Sequence, residues 1–309
     1  MSARRAGVLR ATQSRAIFTR MPSAALDAEA PRVPATLAAI FVYPVKSAAG
    51  IALDAVELDA FGPRHDRRWL VVDPAGHFMT QRRHARLALI QPTLDSDTLM
   101  LDAPGMPRLA LPLDPPAAAV ERVRIWNDDV DAQSAGDDAA RWLSDFLGTP
   151  CRLVHMPDSS VRQVSLRYGR PGDRVAFADA YPLLLLSAES LDALNARLAE
   201  PLPVNRFRPN LLVRGGGEPH AEDRWRRIRV GSVEMDVVKP CARCVITTID
   251  QATGRSAGKE PLRTLAAYRR GPKGGVLFGM NAIHRTRGTL RVGDSVEVMA
   301  EADGGGSNP

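Results

Sequence analysis

The sequence predicts an α+β protein rich in β structure, with a barrel-like second half. Two observations carry that expectation. Most apolar stretches are short, rich in β-branched residues and bounded by Gly- and Pro-containing turns, the pattern of strands rather than helices. Only three stretches carry helical periodicity together with start and stop signals. Many short strands with few helices point to a curled or closed sheet. No internal repeat is evident.

Taken in order, residues 1–35 read as a basic, disordered leader. Leu37–Tyr43 is an expected strand that ends at Pro44, and a second strand lies near Ala52–Leu58, after a turn at Gly50. Trp69–Asp73, Pro74-Ala75-Gly76 and His77–Thr80 read as a hairpin. A short strand is expected within Asp95–Leu101, a Pro-rich connection over Pro104–Pro116, and an alternating strand over Val120–Trp126. Asp137–Leu147 is a helix with Ala139, Leu143, Phe146 and Leu147 on one face, closed by Gly148 and Pro150. Pro157–Arg174 is a loop joining the two halves. A strand at Leu183–Leu186 precedes a helix over Ser187–Leu198, with Ser187 as its N-cap and Leu191, Leu194 and Leu198 inward. Strands follow at Asn210–Val213, Ile228–Val230, Val233–Val238 and Val245–Ile249. The helix Glu260–Arg270 carries Pro261 in its first turn, and three strands near Val276–Ala282, Thr289–Val292 and Ser295–Met299 end the fold. Residues 301–309 read as a flexible tail.

The 309 residues suffice for one large or two ordinary domains. A hydrophobic fraction of 45% and a charged fraction of 25% are those of a soluble globular protein. The net charge of +6, from 41 basic and 35 acidic residues, includes no long Lys/Arg block. It fits a solvated basic surface or an anionic ligand such as a phosphorylated cofactor. Three cysteines are too few for a disulfide scaffold and fit a reducing compartment, so a cytoplasmic protein is expected. No apolar run approaches the length of a membrane span. Arg4, Arg5, Arg10, Arg15 and Arg20 precede the first acid, Asp27. That composition resembles an organelle transit peptide. A disordered leader, or a true start at Met21, is preferred because Ala and Arg are abundant throughout.

Chemistry concentrates in Lys239-Pro240-Cys241-Ala242-Arg243-Cys244-Val245-Ile246-Thr247-Thr248-Ile249-Asp250. A neighbouring cation favours a thiolate, the form that attacks electrophiles and binds metals. A structural zinc site wants four ligands, whereas Cys151 is distant in sequence and the six histidines are scattered singly. A redox dithiol should open a helix after a strand, and the β-branched run after Cys244 reads instead as a strand. A pair of half-buried cysteines at a strand edge remains the plain alternative. The motif alone decides nothing.

Its company does more. With Thr253-Gly254, Lys259-Glu260-Pro261-Leu262 and Tyr268-Arg269, the segment resembles the MOSC domain, named for the C-terminal part of molybdenum cofactor sulfurases. The closest resemblance is to amidoxime-reducing components and bacterial N-hydroxy-compound reductases. It extends through Arg206-Phe207-Arg208-Pro209-Asn210, Ala221-Glu222-Asp223-Arg224-Trp225 and Tyr43-Pro44-Val45-Lys46-Ser47, covering about Leu37 to Met299. The resemblance implies an N-terminal MOSC-associated β-barrel-like domain over residues 36–156 and a MOSC β-barrel over 157–300. It also implies that the cysteine after the arginine, Cys244, ligates molybdenum and is the catalytic centre's protein ligand. Cys241 is then a supporting residue.

The expected cofactor is molybdenum held by molybdopterin, whose phosphate needs an anion cradle. If Arg206–Asn210 is extended, Arg206, Arg208 and Asn210 share one face, and Pro209 places the segment at an edge or bulge. Arginine forks suit phosphate or pterin carbonyl groups. By the resemblance, Lys46, Ser47 and Arg67 face Arg208, Asn210, Arg243 and Cys244 across the site, with Asp179 in a pocket-lining loop. The implied reaction is two-electron reduction of a small N-hydroxylated substrate, with electrons from a separate protein of ferredoxin, flavoprotein or cytochrome b5 type. No cysteine follows Cys244, so an iron–sulfur cluster of the chain's own is not expected. A molybdenum cofactor carrier or sulfur-transfer protein is the alternative. Binding to nucleic acid is not expected, because stacking residues are needed beside the arginines and aromatics make up 5% of the chain.

Overall fold

A computed structural model of the protein describes residues 34–116 and 119–302. The expected leader and tail lie outside these residues, apart from the innermost two positions of each.

The first half contributes β1 (Thr36–Val42), β2 (Ile51–Leu53), β3 (Ala55–Asp59), β4 (Gly62–Pro63) and β5 (Trp69–Val72). Next come β6 (Gln91–Asp95), β7 (Thr98–Asp102), β8 (Leu109–Pro112), β9 (Val120–Ile125), β10 (Asp128–Ser134), helix α1 (Asp137–Leu147) and β11 (Arg152–His155). The second half holds β12 (Leu183–Ser187), α2 (Ala188–Asn195), β13 (Leu211–Arg214), β14 (Trp225–Val230) and β15 (Val233–Arg243). It ends with β16 (Ile249–Asp250), β17 (Arg255–Ser256), α3 (Leu262–Tyr268), β18 (Val276–His284), β19 (Thr289–Arg291) and β20 (Val296–Glu301).

The barrel expected of the second half is present. Its sheet runs β2-β1-β13-β12-β18-β15-β14-β20, antiparallel throughout except for β12 beside β13. The last strand returns to the first: Thr36 bridges Ser295, and the Val296 amide donates to the Ala35 carbonyl at 2.7 Å. Closure removes an exposed sheet edge. Leu37, Ile40, Leu185, Leu211, Ile228, Met235 and Met280 fill the interior and are buried from water. The strands β1 and β2, first in sequence, are therefore staves of the later barrel, which brings the end of β1 to the barrel mouth.

The first half has a four-stranded sheet, β5-β11-β10-β9, and a three-stranded one, β6-β7-β8. Trp69-Leu70-Val71-Val72 is apolar at every position because both faces of β5 are covered. Trp69 and Val71 join one core with α1, and Leu70 and Val72 join another with Val123 and Val154. In α1 the buried face is Ala139, Trp142, Leu143 and Phe146. Leu147, expected inward, is only half-buried, and the left-handed Gly148 closes the helix. Ser187 caps α2 by accepting from the Ser190 amide.

Several expectations fail for local reasons. Val245–Ile249 is not a strand: Val245–Thr248 forms a 3-10 turn before β16. The Thr247 and Thr248 hydroxyls donate to the Cys244 and Val245 carbonyls at 3.0 and 2.8 Å, local bonds that compete with a ladder. Arg206–Asn210 is not extended either. Val204–Arg206 is a 3-10 turn and Arg208 adopts φ 55°. The Pro-rich connection contains β8, with Pro112 on the sheet edge where its missing N–H costs nothing. The expected strand over residues 233–238 continues to Arg243, its register shifting on either side of Pro240. The strand expected at 52–58 is divided at Asp54 into β2 and β3.

Candidate functional site

Three short segments converge at the barrel mouth. The first follows β1. Lys46 is fixed by its amide, which donates to the Trp69 carbonyl at 2.8 Å, and it is buried. Its Nζ lies 2.5 Å from Asp179 Oδ1. Burial, only partly offset by Asp179, pushes the Lys46 ammonium down to about 8. Asp179 is exposed on its outer side; its partial desolvation opposes the charged form, but Lys46 and then Arg82 outweigh this and hold the carboxyl well below its usual range. Ser47 stands at φ 69° with its carbonyl accepting from Gln81 Nε2 at 2.7 Å.

The second segment carries Arg67 at φ 50°. Its guanidinium donates to Asp66 at 2.5 Å, to Asn210 Oδ1 at 3.0 Å and to the Arg208 carbonyl at 3.3 Å. The third carries Arg208, at φ 55°, donating to the Ala48 carbonyl at 2.6 Å. Burial, with help from Arg67, lowers Arg208 to about 10. Both guanidiniums lie 4.2 Å from the ring centroid of Tyr43. One buried ring thus holds two cations in place, and its hydroxyl donates to the Pro209 carbonyl at 2.9 Å. Burial raises Tyr43 to about 12, so the ring stays neutral between them.

Left-handed backbone in residues other than glycine is uncommon and costs energy. Ser47, Arg67 and Arg208 share that conformation and line one cleft with Lys46, Asp179, Asn210, Cys241, Arg243 and Cys244. The lining holds five cations, Lys46, Arg67, Arg82, Arg208 and Arg243, against the single carboxylate of Asp179. An imbalance of this kind favours a polyanionic occupant.

The two sulfurs sit at the end of β15, both half-exposed. Cys241 Sγ accepts from Arg243 Nη1 at 2.9 Å. Arg243 also donates to the Phe207 carbonyl at 2.5 Å, while its buried Nε has no partner. Cys244 begins the 3-10 turn and accepts from Arg82 Nη2 at 3.3 Å. Among the described residues no group of three or more His, Cys, Asp or Glu side chains could hold a metal. A metal on Cys244 would therefore have to bring its remaining ligands with it.

Two predicted residues sit differently from the rest. Asn210 is at the cleft, but its amide is engaged by Arg67, the Leu184 amide and the Phe41 carbonyl. It orients Arg67. Arg206, expected on the face of Arg208, turns away from the cleft and donates to the Thr247 carbonyl at 2.8 Å, bracing the turn after Cys244. Sequence reasoning missed Arg82, Trp126 and the reciprocal amide pair Gln81–Gln251, which ties the Ser47 loop to the cysteine segment. Arg82 adjoins Arg83 in an unremarkable basic pair, and no local signal separates the two.

Comparison with known proteins agrees with this architecture. The family model described as the MOSC N-terminal beta barrel domain matches residues 34–150, and the MOSC domain model matches residues 172–297. The chain is a MOSC-domain protein. It is 39% identical to mitochondrial amidoxime-reducing component 1 of Mus musculus, over 86% of this chain and 83% of that one. It is 36% identical to the Homo sapiens component 1, with the same shares covered. With mitochondrial amidoxime reducing component 2 of Bos taurus it shares 36% identity over 86% of this chain and 84% of that one. Within the MOSC proteins, the chain belongs to the amidoxime-reducing component family.

Proposed function

We propose that the protein is a molybdenum-cofactor-dependent reductase of small N-hydroxylated compounds. One observation carries the reading. Three residues that bear polar or cationic side chains, Ser47, Arg67 and Arg208, accept left-handed backbone to face the same cleft as Cys244.

The residues fit molybdopterin by their chemistry. Cys244 supplies a soft sulfur of the kind that suits a dithiolene-bound metal. Lys46, Ser47, Arg67, Arg208 and Arg243 would hold the pterin and its phosphate, and the unpartnered Nε of Arg243 is a donor awaiting an acceptor. Asn210 would act through Arg67, Arg206 through the turn at Thr247, and Asp179 through Lys46. When bound, the cofactor supplies two-electron redox chemistry at the metal. In the overall reaction one N–O bond breaks, two electrons and two protons are consumed, and an N–H product and water leave.

The electrons come from a separate carrier protein of ferredoxin, flavoprotein or cytochrome b5 type. No described helix is long and apolar enough to cross a membrane. The cysteine usage fits a reducing compartment such as the cytoplasm. The mitochondrial names of the relatives, with the arginine-rich first twenty residues, support organelle import instead. Imaging the full chain with and without residues 1–20 decides between these.

The test of function is metal and pterin analysis of protein made in cells that supply the cofactor, paired with turnover of an N-hydroxyamidine by a reduced donor. Wild type and Cys241→Ser should contain molybdenum and pterin and consume the substrate. Cys244→Ser should lose turnover and show altered metal coordination. Wild-type protein with neither metal nor pterin would end the proposal.

A further inference from the structure

A second cavity lies against the cleft. Its walls include His77, Phe78, Arg83 and Trp126, and it shares Thr80 and Arg82 with the cleft that contains Cys244. Arg82 is the partition. On one side its Nη2 is 3.3 Å from Cys244 Sγ, and on the other its guanidinium stacks 4.7 Å from the centroid of Trp126.

Trp126 is an unusual wall. It occupies left-handed backbone at φ 55°, a strained position for a bulky residue. It is 42% exposed, whereas Trp69, Trp142 and Trp225 are buried. Its indole N–H reaches Asp179 Oδ1 at 3.4 Å, and Phe78 packs against it at 4.9 Å between centroids. The two-residue turn between β9 and β10 accounts for the backbone conformation, but core packing does not account for a large ring held over an open cavity. The charge at the rim has a sign. Arg124 is spent on Asp129 and His77 on Asp73, while Arg83 makes no ion pair among the described residues.

We propose that this cavity is the substrate subsite, taking a flat aromatic or heteroaromatic ring with neutral or acidic substituents against Trp126 and Phe78. Arg82 then directs the N–O group attached to that ring across the partition towards Cys244. The proposal rests on the reductase reading above and names which N-hydroxylated compounds the site prefers. Stacking supplies affinity without fixing a sequence of polar contacts, and the unpaired Arg83 disfavours a cationic ring substituent.

The test uses cofactor-loaded protein. With no reduced donor present, an aryl N-hydroxyamidine, which is neutral near pH 7, should quench wild-type tryptophan emission saturably, because Trp126 is the exposed indole. The quench should vanish in Trp126→Phe while KM for the aryl N-hydroxyamidine stays within about threefold. Trp126→Ala should raise that KM roughly tenfold and raise the KM of an alkyl N-hydroxyamidine much less. Arg83→Glu should shift the preference between carboxylate- and trimethylammonium-bearing aryl substrates about tenfold towards the cation. Equal KM increases for aryl and alkyl compounds in Trp126→Ala, or a quench that persists in Trp126→Phe, would overturn the subsite. Failure of wild-type protein to consume any N-hydroxyamidine from a reduced donor, with the quench intact, would instead sink the reductase reading.

Discussion

Arg82 Nη2 sits 3.3 Å from Cys244 Sγ, joining residues 162 positions apart in the chain. Cys241, three residues before Cys244, has a different arginine, Arg243. The paired sulfurs of the motif therefore serve separate contacts. Removing Cys244 takes away the sulfur that faces the shared partition, whereas removing Cys241 takes away one acceptor of Arg243, which keeps its bond to the Phe207 carbonyl. Cys244→Ser is expected to cost at least about a hundredfold in turnover, and Cys241→Ser about tenfold or less. Steady-state kinetics normalised to molybdenum content checks this, and the reverse order would reassign the ligand.

The two arginines on Tyr43 make Gly50 a sensitive position although it contacts no ligand. A Cβ added there would overlap the Tyr43 ring, which must shift and carry Arg67 and Arg208 with it. Gly50→Ala should lower pterin retention severalfold, whereas Tyr43→Phe, which loses only the bond to Pro209, should cost about 1 kcal/mol of stability. Pterin content after dialysis, read beside thermal unfolding, separates these outcomes. Equal retention in Gly50→Ala and wild type would mean that the stack does not position the cradle.

Lys46 links pH to stability. Its folded-state pKa of about 8 lies below the 10.5 of an unperturbed lysine, so between these values the unfolded chain binds more protons and stability rises with pH. Below pH 8 the full penalty of the buried cation is present, on the order of 3 kcal/mol. Lys46→Met should therefore flatten the rise in melting temperature of cofactor-free protein between pH 8 and 10. The same change should reduce cofactor retention, because a cation has left the cradle. A rise between pH 8 and 10 that persists in Lys46→Met would show that another group titrates there.

Much of this was legible in the chain. Many of the strands, α1, the Ser187 cap and the curled second half follow from period-two runs, turn residues and capping chemistry. The motif residues Lys46, Ser47, Arg67, Arg208 and Cys244 do meet in one cleft. Other features follow from tertiary contacts that no local pattern encodes. The segment Val245–Thr248 has β-branched composition but turns, because its threonine hydroxyls bond backwards. The strand β10 carries only the short apolar alternation Val130 and Ala132 in a polar sequence, and it is held by burying these two side chains and by its ladder with β9. Arg82 and Trp126 carry no motif and matter only because folding brings them beside Cys244 and Asp179.

Ser47 separates strain from chemistry. Its backbone at φ 69° disfavours any side chain, yet a serine is kept where glycine would fit. Among the described residues its hydroxyl has no hydrogen-bond partner, and only its carbonyl is used, by Gln81. If the hydroxyl is there for the bound anion, Ser47→Ala and Ser47→Gly should lower cofactor retention by similar factors, since both delete the same oxygen. Their stabilities should differ, with Ser47→Gly relieving the strained backbone by about 1 kcal/mol relative to Ser47→Ala. Pterin retention and unfolding midpoints measured on both variants test the two halves independently. Full retention in Ser47→Gly would mean that the loop's shape alone, and not its hydroxyl, serves the site.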